Sequence, residues 1–178
     1  MKKINIDKRE LEQIFSALDA NELFPSIVSM LSERGMSVAT AESCTGGLIG
    51  KMITDVPGAS AVFVGGMITY TNRVKIGKLG VSEKTIADHT EVSAECACEM
   101  ADRAKALFES SVGISATGFA GPTGGNERDE VGTVYLGISL DKETFVYRLC
   151  FGALSRDEIR TKAALFAAKA LADLTKNS

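Results

Sequence analysis

The 178-residue chain has one histidine, His89, and four scattered cysteines, Cys44, Cys96, Cys98 and Cys150. No pair of them makes a CxxC. Cys96 and Cys98 stand two apart in a helical stretch, so they point about 200° apart around the helix axis and cannot easily share a metal. A zinc site or a disulfide framework is therefore not expected, and free thiols in a reducing compartment fit better. A Ser-His-Asp triad would depend on His89 alone, which precedes a helix in a polar stretch and is a weak candidate base. No apolar run approaches the roughly 20 residues of a membrane span. The basic start, Met1 to Glu10, has no apolar block behind it and does not read as a signal peptide. Net charge is −3 with no basic cluster, which argues against direct nucleic-acid binding. A composition of 45 % hydrophobic and 24 % charged residues is that of a globular protein. The expectation is a single cytoplasmic domain over residues 1–178, with no membrane partner.

What the chain does have is concentrated in Val38-Ala39-Thr40-Ala41-Glu42-Ser43-Cys44-Thr45-Gly46-Gly47. A β-prone run, Met36 to Ala41, meets two hydroxyls, a thiol and two glycines. The apolar-periodic Leu48, Ile49, Met52 and Ile53 follow. Strand, tight turn and helix start is the reading. Such a junction aims unpaired N–H groups and the positive end of a helix dipole at whatever lies in front, so a nucleophile there would meet a ready anion stabiliser. Ser43 as a simple helix cap is the competing reading.

Residues 7–34 read as two helices, the first capped by Asp7 and the second starting near Pro25. Asp55-Val56-Pro57-Gly58 is a turn. Val62 to Tyr70 is β-prone, with Gly65-Gly66 suggesting a bulge or a close backbone approach. Thr71-Asn72 opens a short helix carrying Lys75, and Ser82 caps another. Ser93 begins an amphipathic helix whose small apolar face (Ala94, Ala97, Cys98, Ala101, Ala104) should pack very close to a sheet. Val112 to Thr117 is a buried strand, followed by a glycine-rich loop, Gly118 to Gly125. Val131 to Leu140 and Thr144 to Cys150 form a hairpin, and the last helix runs from Arg156 to Leu174. The pattern predicts an α/β domain with about five strands, mostly parallel, and helices on both sheet faces.

Ligands of open α/β sheets bind beyond the carboxyl ends of strands. Ser43–Gly47, the stretch after Tyr70, and Gly118–Gly125 all occupy such positions. The glycine loop matches neither GxGxxG nor a P-loop, and serves either a phosphate or oxyanion, or turn geometry alone. With His89 weak, lysine is the alternative base for Ser43. Its reference pKa of roughly 10.4 must fall by burial or neighbouring positive charge, and Lys75 is the best placed. Cys44 is the competing nucleophile, since a helix N-terminus lowers a thiol pKa, although small buried packing suits it better.

Ala41-Glu42-Ser43-Cys44-Thr45-Gly46-Gly47, Asp55 to Ser60, Gly65-Gly66 with Tyr70-Thr71-Asn72 and Lys75, Thr117 to Gly125, and Val131-Gly132-Thr133-Val134 together resemble the CinA C-terminal domain family. The likeness runs in order from about residue 24 to residue 174, and that family includes nicotinamide-nucleotide amidases. The resemblance implies a three-layer α/β/α sandwich with a mixed sheet. It also implies hydrolysis of nicotinamide mononucleotide to nicotinate mononucleotide and ammonia, without cofactor or metal. The family's nucleophilic serine falls on Ser43, its lysine on Lys75 and its tyrosine on Tyr70. Amides near Thr45 and Gly46 are then the expected oxyanion donors, and Lys75 is expected to take the Ser43 proton either directly or through Tyr70. Substrate contacts are expected from Gly47, Thr117, Gly118, Gly121, Thr123, Gly124, Arg156 and Arg160. The chain looks like a stand-alone form with a helical extension over residues 1–22; a homo-oligomer is left open. Asp129-Glu130 replace the usual Lys-Pro before Val131, so two acids either oppose an anionic substrate or face solvent. A non-catalytic nucleotide-binding or interaction module, linked to competence or DNA damage, is the alternative, and a thiol enzyme using Cys44 a third.

Overall fold

The computed structural model describes residues 1–176. In chain order the elements are β1 (Lys2–Ile6), α1 (Lys8–Ser16), α2 (Ala20–Glu33), β2 (Val38–Glu42), α3 (Leu48–Thr54), β3 (Phe63–Ile68), α4 (Asn72–Val74), α5 (Glu83–His89), α6 (Ala94–Leu107), β4 (Val112–Gly118), β5 (Thr133–Leu140), β6 (Glu143–Cys150) and α7 (Arg156–Lys176). Six strands form one mixed sheet in the order β1-β6-β5-β4-β2-β3. β2 runs parallel to both β3 and β4, whereas β4–β5 and β5–β6 are antiparallel. The carboxyl ends of β2, β3 and β4 therefore lie side by side, and the three segments singled out above emerge together.

The sheet is sandwiched. Alternate residues of the central strands, Ile114 opposite Ile138 and Ala116 opposite Leu136, enter the main core with Leu31, Ile49, Ile159 and Leu171 from α2, α3 and α7. The opposite face packs on α6, which buries Cys96, Ala97, Met100, Ala101 and Ala104. That contact is very close, as its small residues predict. A Cβ on Gly113 would stand 2.1 Å from the Ala101 carbonyl, and one on Gly137 would stand 2.5 Å from that of Ala97. Between them Ser115 Oγ donates to the same Ala97 carbonyl at 2.6 Å. Backbone-to-backbone packing of this kind leaves room only for small residues. Among the described residues no helix is long and apolar enough to cross a membrane.

Two expectations are corrected. The sheet has six strands and not five, because Lys2–Ile6, within the segment read as a helical extension, pairs parallel with β6 at the sheet edge. Its alternation of lysine and asparagine with isoleucine is that of a short, half-buried edge strand. The second helix begins at Ala20 and not near Pro25, since the Asp19 carboxylate accepts from Asn21 N–H at 3.0 Å; Pro25 lies inside the helix.

Candidate active site

Ser43 is the first residue beyond β2, and its N–H donates to the Ala116 carbonyl of β4 at 2.8 Å. Beyond β3 the chain turns through Thr69, whose N–H donates to the Glu42 carbonyl at 2.7 Å, into α4. A single π-helical turn, Lys75–Leu79, continues α4. Wide turns of this sort frequently mark functional sites. Here the turn directs Lys75 back under the sheet end. Lys75 is 1 % exposed, and its Nζ lies 2.9 Å from Ser43 Oγ and 2.8 Å from the Thr69 carbonyl oxygen. Ser43 is therefore not a helix cap; its hydroxyl is engaged by a lysine.

Both polar contacts of that lysine are neutral oxygens, and burial pushes its pKa below the ordinary lysine value. Cys96, Glu91 and Cys44 oppose the shift. Burial, however, raises the Cys44 and Cys96 thiols to about 12. Neither thiol carries charge at neutral pH, so Glu91 is the one real anion of the three. A neutral amine can give one N–H to Thr69 and accept the Ser43 O–H on its lone pair, the arrangement of a general base beside a nucleophile. The raised pKa of the Cys44 thiol is opposite to what a thiolate nucleophile requires.

A cavity of about 230 Å³ opens in front of this pair. Of the expected contact residues it is lined by Tyr70, Thr117, Gly118, Gly121, Thr123 and Arg156. The Arg156 guanidinium ties two walls together, donating to the Gly121 carbonyl at 2.8 Å and to the Tyr70 hydroxyl oxygen at 3.0 Å. Tyr70 is thus held by arginine and bonds to neither Ser43 nor Lys75; of the two expected routes, the direct Ser43–Lys75 contact is the one present. Phe119 of the glycine loop also lines the cavity, as do Glu91 and Val92, which no expectation covers. These two come from the loop before α6, a position with no local sequence signal. Among the described residues no cluster of three or more His, Cys, Asp or Glu is gathered as a metal site.

The Ser43–Gly47 turn itself departs from expectation, and the main cause is Glu42. Its buried carboxylate accepts from Gly47 N–H and Ile49 N–H, both at 3.0 Å, and from Gly50 N–H at 2.8 Å. The anion facing the α3 N-terminus is thus part of the chain. Gly47 is held there and is not on the cavity wall. Gly46 N–H donates to the Ser43 carbonyl at 3.1 Å, and Leu48 N–H to that of Thr45 at 3.2 Å. Every amide from Ser43 to Gly50 then has a carbonyl or carboxylate partner except those of Cys44 and Thr45, which lie against the Cys44 sulfur, so the Gly46 amide expected to face a ligand is taken up within the turn. Arg160 is also reassigned. Its Nη2 and Nε donate to the Thr45 carbonyl at 2.8 and 3.2 Å, fastening the turn from outside the cavity. Gly124 lies on the exposed part of its loop, away from the cavity lining.

Glu42→Gln tests this clamp. The amide would present an NH₂ to at least one of three N–H donors. The substitution is expected to cost about 1–3 kcal/mol in stability, read from urea unfolding, and to lower activity by loosening Ser43.

Asp129 neither opposes a ligand at Ser43 nor faces solvent. It is buried, accepts from the Tyr135 hydroxyl at 3.0 Å and pairs with Arg148 at 2.8 Å, in a neighbouring cavity. Glu130 is exposed.

The profile of the CinA C-terminal domain matches residues 20–175. A putative competence-damage inducible protein of Caldanaerobacter subterraneus is 45 % identical over 157 residues, covering 88 % of this chain and 38 % of that protein. One of the same description from Halothermothrix orenii is 49 % identical over 134 residues, 75 % of this chain and 32 % of its own length. The chain thus spans well under half the length of these curated relatives. Among solved structures, a competence/damage inducible protein of Agrobacterium tumefaciens superposes with a TM-score of 0.85 at 35 % identity, covering 89 % of this chain and 96 % of that one.

Proposed function

The chain belongs to the CinA C-terminal domain family, and on that premise we propose that it is an amidase hydrolysing the carboxamide of nicotinamide mononucleotide to nicotinate mononucleotide and ammonia. The observation that carries the proposal is the 2.9 Å contact between Ser43 Oγ and a fully buried Lys75 that, among the described residues, hydrogen-bonds only this hydroxyl and the Thr69 carbonyl. Burying an amine in this way costs stability, and a module that only binds has no use for it.

Neutral Lys75 accepts the Ser43 proton as Oγ attacks the carboxamide carbon. The oxyanion lies against the amides of Cys44 and Thr45, which have no carbonyl or carboxylate partner in the turn; one such donor is typically worth about 10²–10³ in rate. Lys75, now an ammonium, protonates the departing nitrogen and ammonia leaves. Water, with Lys75 again as base, then hydrolyses the Ser43 ester and releases the carboxylate product. Arg156 and the N–H groups of Gly121 and Thr123 suit the phosphate.

The proposal is tested by incubating the purified chain with nicotinamide mononucleotide and quantifying both products. Equal amounts of ammonia and nicotinate mononucleotide are expected; turnover of other amides alone would overturn the substrate assignment. Arg156→Lys keeps the charge but loses the fork that joins Gly121, Tyr70 and the phosphate. It is expected to raise KM by roughly tenfold or more while kcat changes much less.

A further inference from the structure

Glu91 is half-buried on the wall of the Ser43 cavity, and its carboxylate has no hydrogen-bond or ion-pair partner among the described residues. A carboxylate left unpaired in such a place calls for a cationic partner. Its backbone is firmly held. Thr117 Oγ1 donates to the Glu91 carbonyl at 2.6 Å, Ser93 Oγ to the Thr90 carbonyl at 3.0 Å, and Thr90 Oγ1 to the Val92 carbonyl at 3.2 Å. Thr90 adopts φ +69°, a costly conformation for a β-branched residue that persists only where its surroundings enforce it. The cavity thus presents a carboxylate on a held backbone, Glu91, and a guanidinium, Arg156, on walls supplied by different parts of the chain.

We infer that Glu91 is a specificity-determining residue that selects a carboxamide borne on a positively charged ring, so that the site accepts a zwitterion: cationic heterocycle toward Glu91, anionic phosphate toward Arg156. This rests on the amidase reading above and narrows it. The same carboxylate acts on Lys75. Burial lowers the lysine pKa and Glu91 opposes that shift, so a ring cation that offsets Glu91 leaves Lys75 more fully in its neutral, basic form. The substrate's own charge thereby favours the catalytic state of the base, and neutral amides forgo that gain.

The test uses the full chain carrying Ser43→Ala, so that ligands bind without turnover. Calorimetry compares nicotinamide mononucleotide with its 1,4-dihydro form, which keeps the carboxamide, ribose and phosphate but has a neutral ring. The oxidised nucleotide is expected to bind roughly tenfold more tightly, the size of one close charge pair at a partly buried site. Adding Glu91→Gln is expected to abolish that preference by weakening the oxidised form alone. A structural disturbance would weaken both forms and leave their ratio intact. A ratio unchanged by Glu91→Gln, with both nucleotides still bound, overturns the role of Glu91 and leaves the amidase reading standing. Binding of neither nucleotide overturns that reading and this inference with it.

Discussion

Ser43→Ala is expected to lower kcat for amide hydrolysis by roughly 10⁴-fold or more, the scale seen when the nucleophile of a covalent mechanism is removed. The change deletes one hydroxyl whose hydrogen-bond partner is Lys75 Nζ, and Lys75 retains the Thr69 carbonyl. Loss of a single hydrogen bond of this kind costs about 1 kcal/mol, so the variant folds and activity falls for a chemical reason. The turn is held at other points, by Glu42 on the amide side and Arg160 on the Thr45 carbonyl, neither of which touches the hydroxyl. Parallel measurement of ammonia release and thermal melting separates the two effects. A melt unchanged within a few degrees alongside lost turnover is the expected pair of results.

Lys75→Met is expected to abolish turnover to a comparable extent while changing how stability depends on pH. Because burial lowers the folded-state pKa of Lys75, the unfolded chain binds more protons between that lowered value and about 10.4. The contribution of Lys75 to stability therefore rises with pH across that window. The penalty is complete below the folded-state pKa and vanishes above about 10.4. Methionine fills a similar volume without titrating, so the stability difference between variant and wild type should shift in the wild type's favour as pH rises. In the wild type, kcat/KM should rise with pH through the same folded-state pKa as the amine loses its proton. Chemical unfolding and pH–rate profiles on both proteins check the account. A pH-independent stability difference would contradict the burial argument, and turnover by Lys75→Met would contradict the base assignment.

The parts of this site that were legible in the sequence are those that depend on local chain geometry. Strand ends followed by Ser43, by Tyr70 to Lys75 and by a glycine loop announce a shared sheet edge, since parallel strands bring such ends together. The small face of α6 likewise announced close packing. The parts that were not legible depend on one side chain reaching elements it does not adjoin. Glu42 sits at the end of a strand but caps the helix that follows, taking amides five, seven and eight residues on, beyond the three-residue spacing that marks a capping box. Without that carboxylate the sequence leaves Gly47 free to bind ligand, and the turn bond from Gly46 N–H to the Ser43 carbonyl has no sequence signal of its own. Asp129 was read by its neighbours in sequence, whereas its partners Tyr135 and Arg148 face it from two antiparallel strands. Arg160 lies one helical turn from Arg156, yet one arginine supports the nucleophile turn and the other borders the cavity. Lys2–Ile6 is too short and polar to read as a strand without the β6 edge beside it.

The most direct test of the Ser43–Lys75 account is ammonia release from nicotinamide mononucleotide by wild type, Ser43→Ala and Cys44→Ala measured side by side. The two side chains are adjacent in one turn, so the comparison separates a nucleophilic hydroxyl from a buried thiol that serves only packing. The account predicts release by wild type, release within a few-fold of it by Cys44→Ala, and background release by Ser43→Ala. Sustained release by Ser43→Ala, or loss confined to Cys44→Ala, would contradict it.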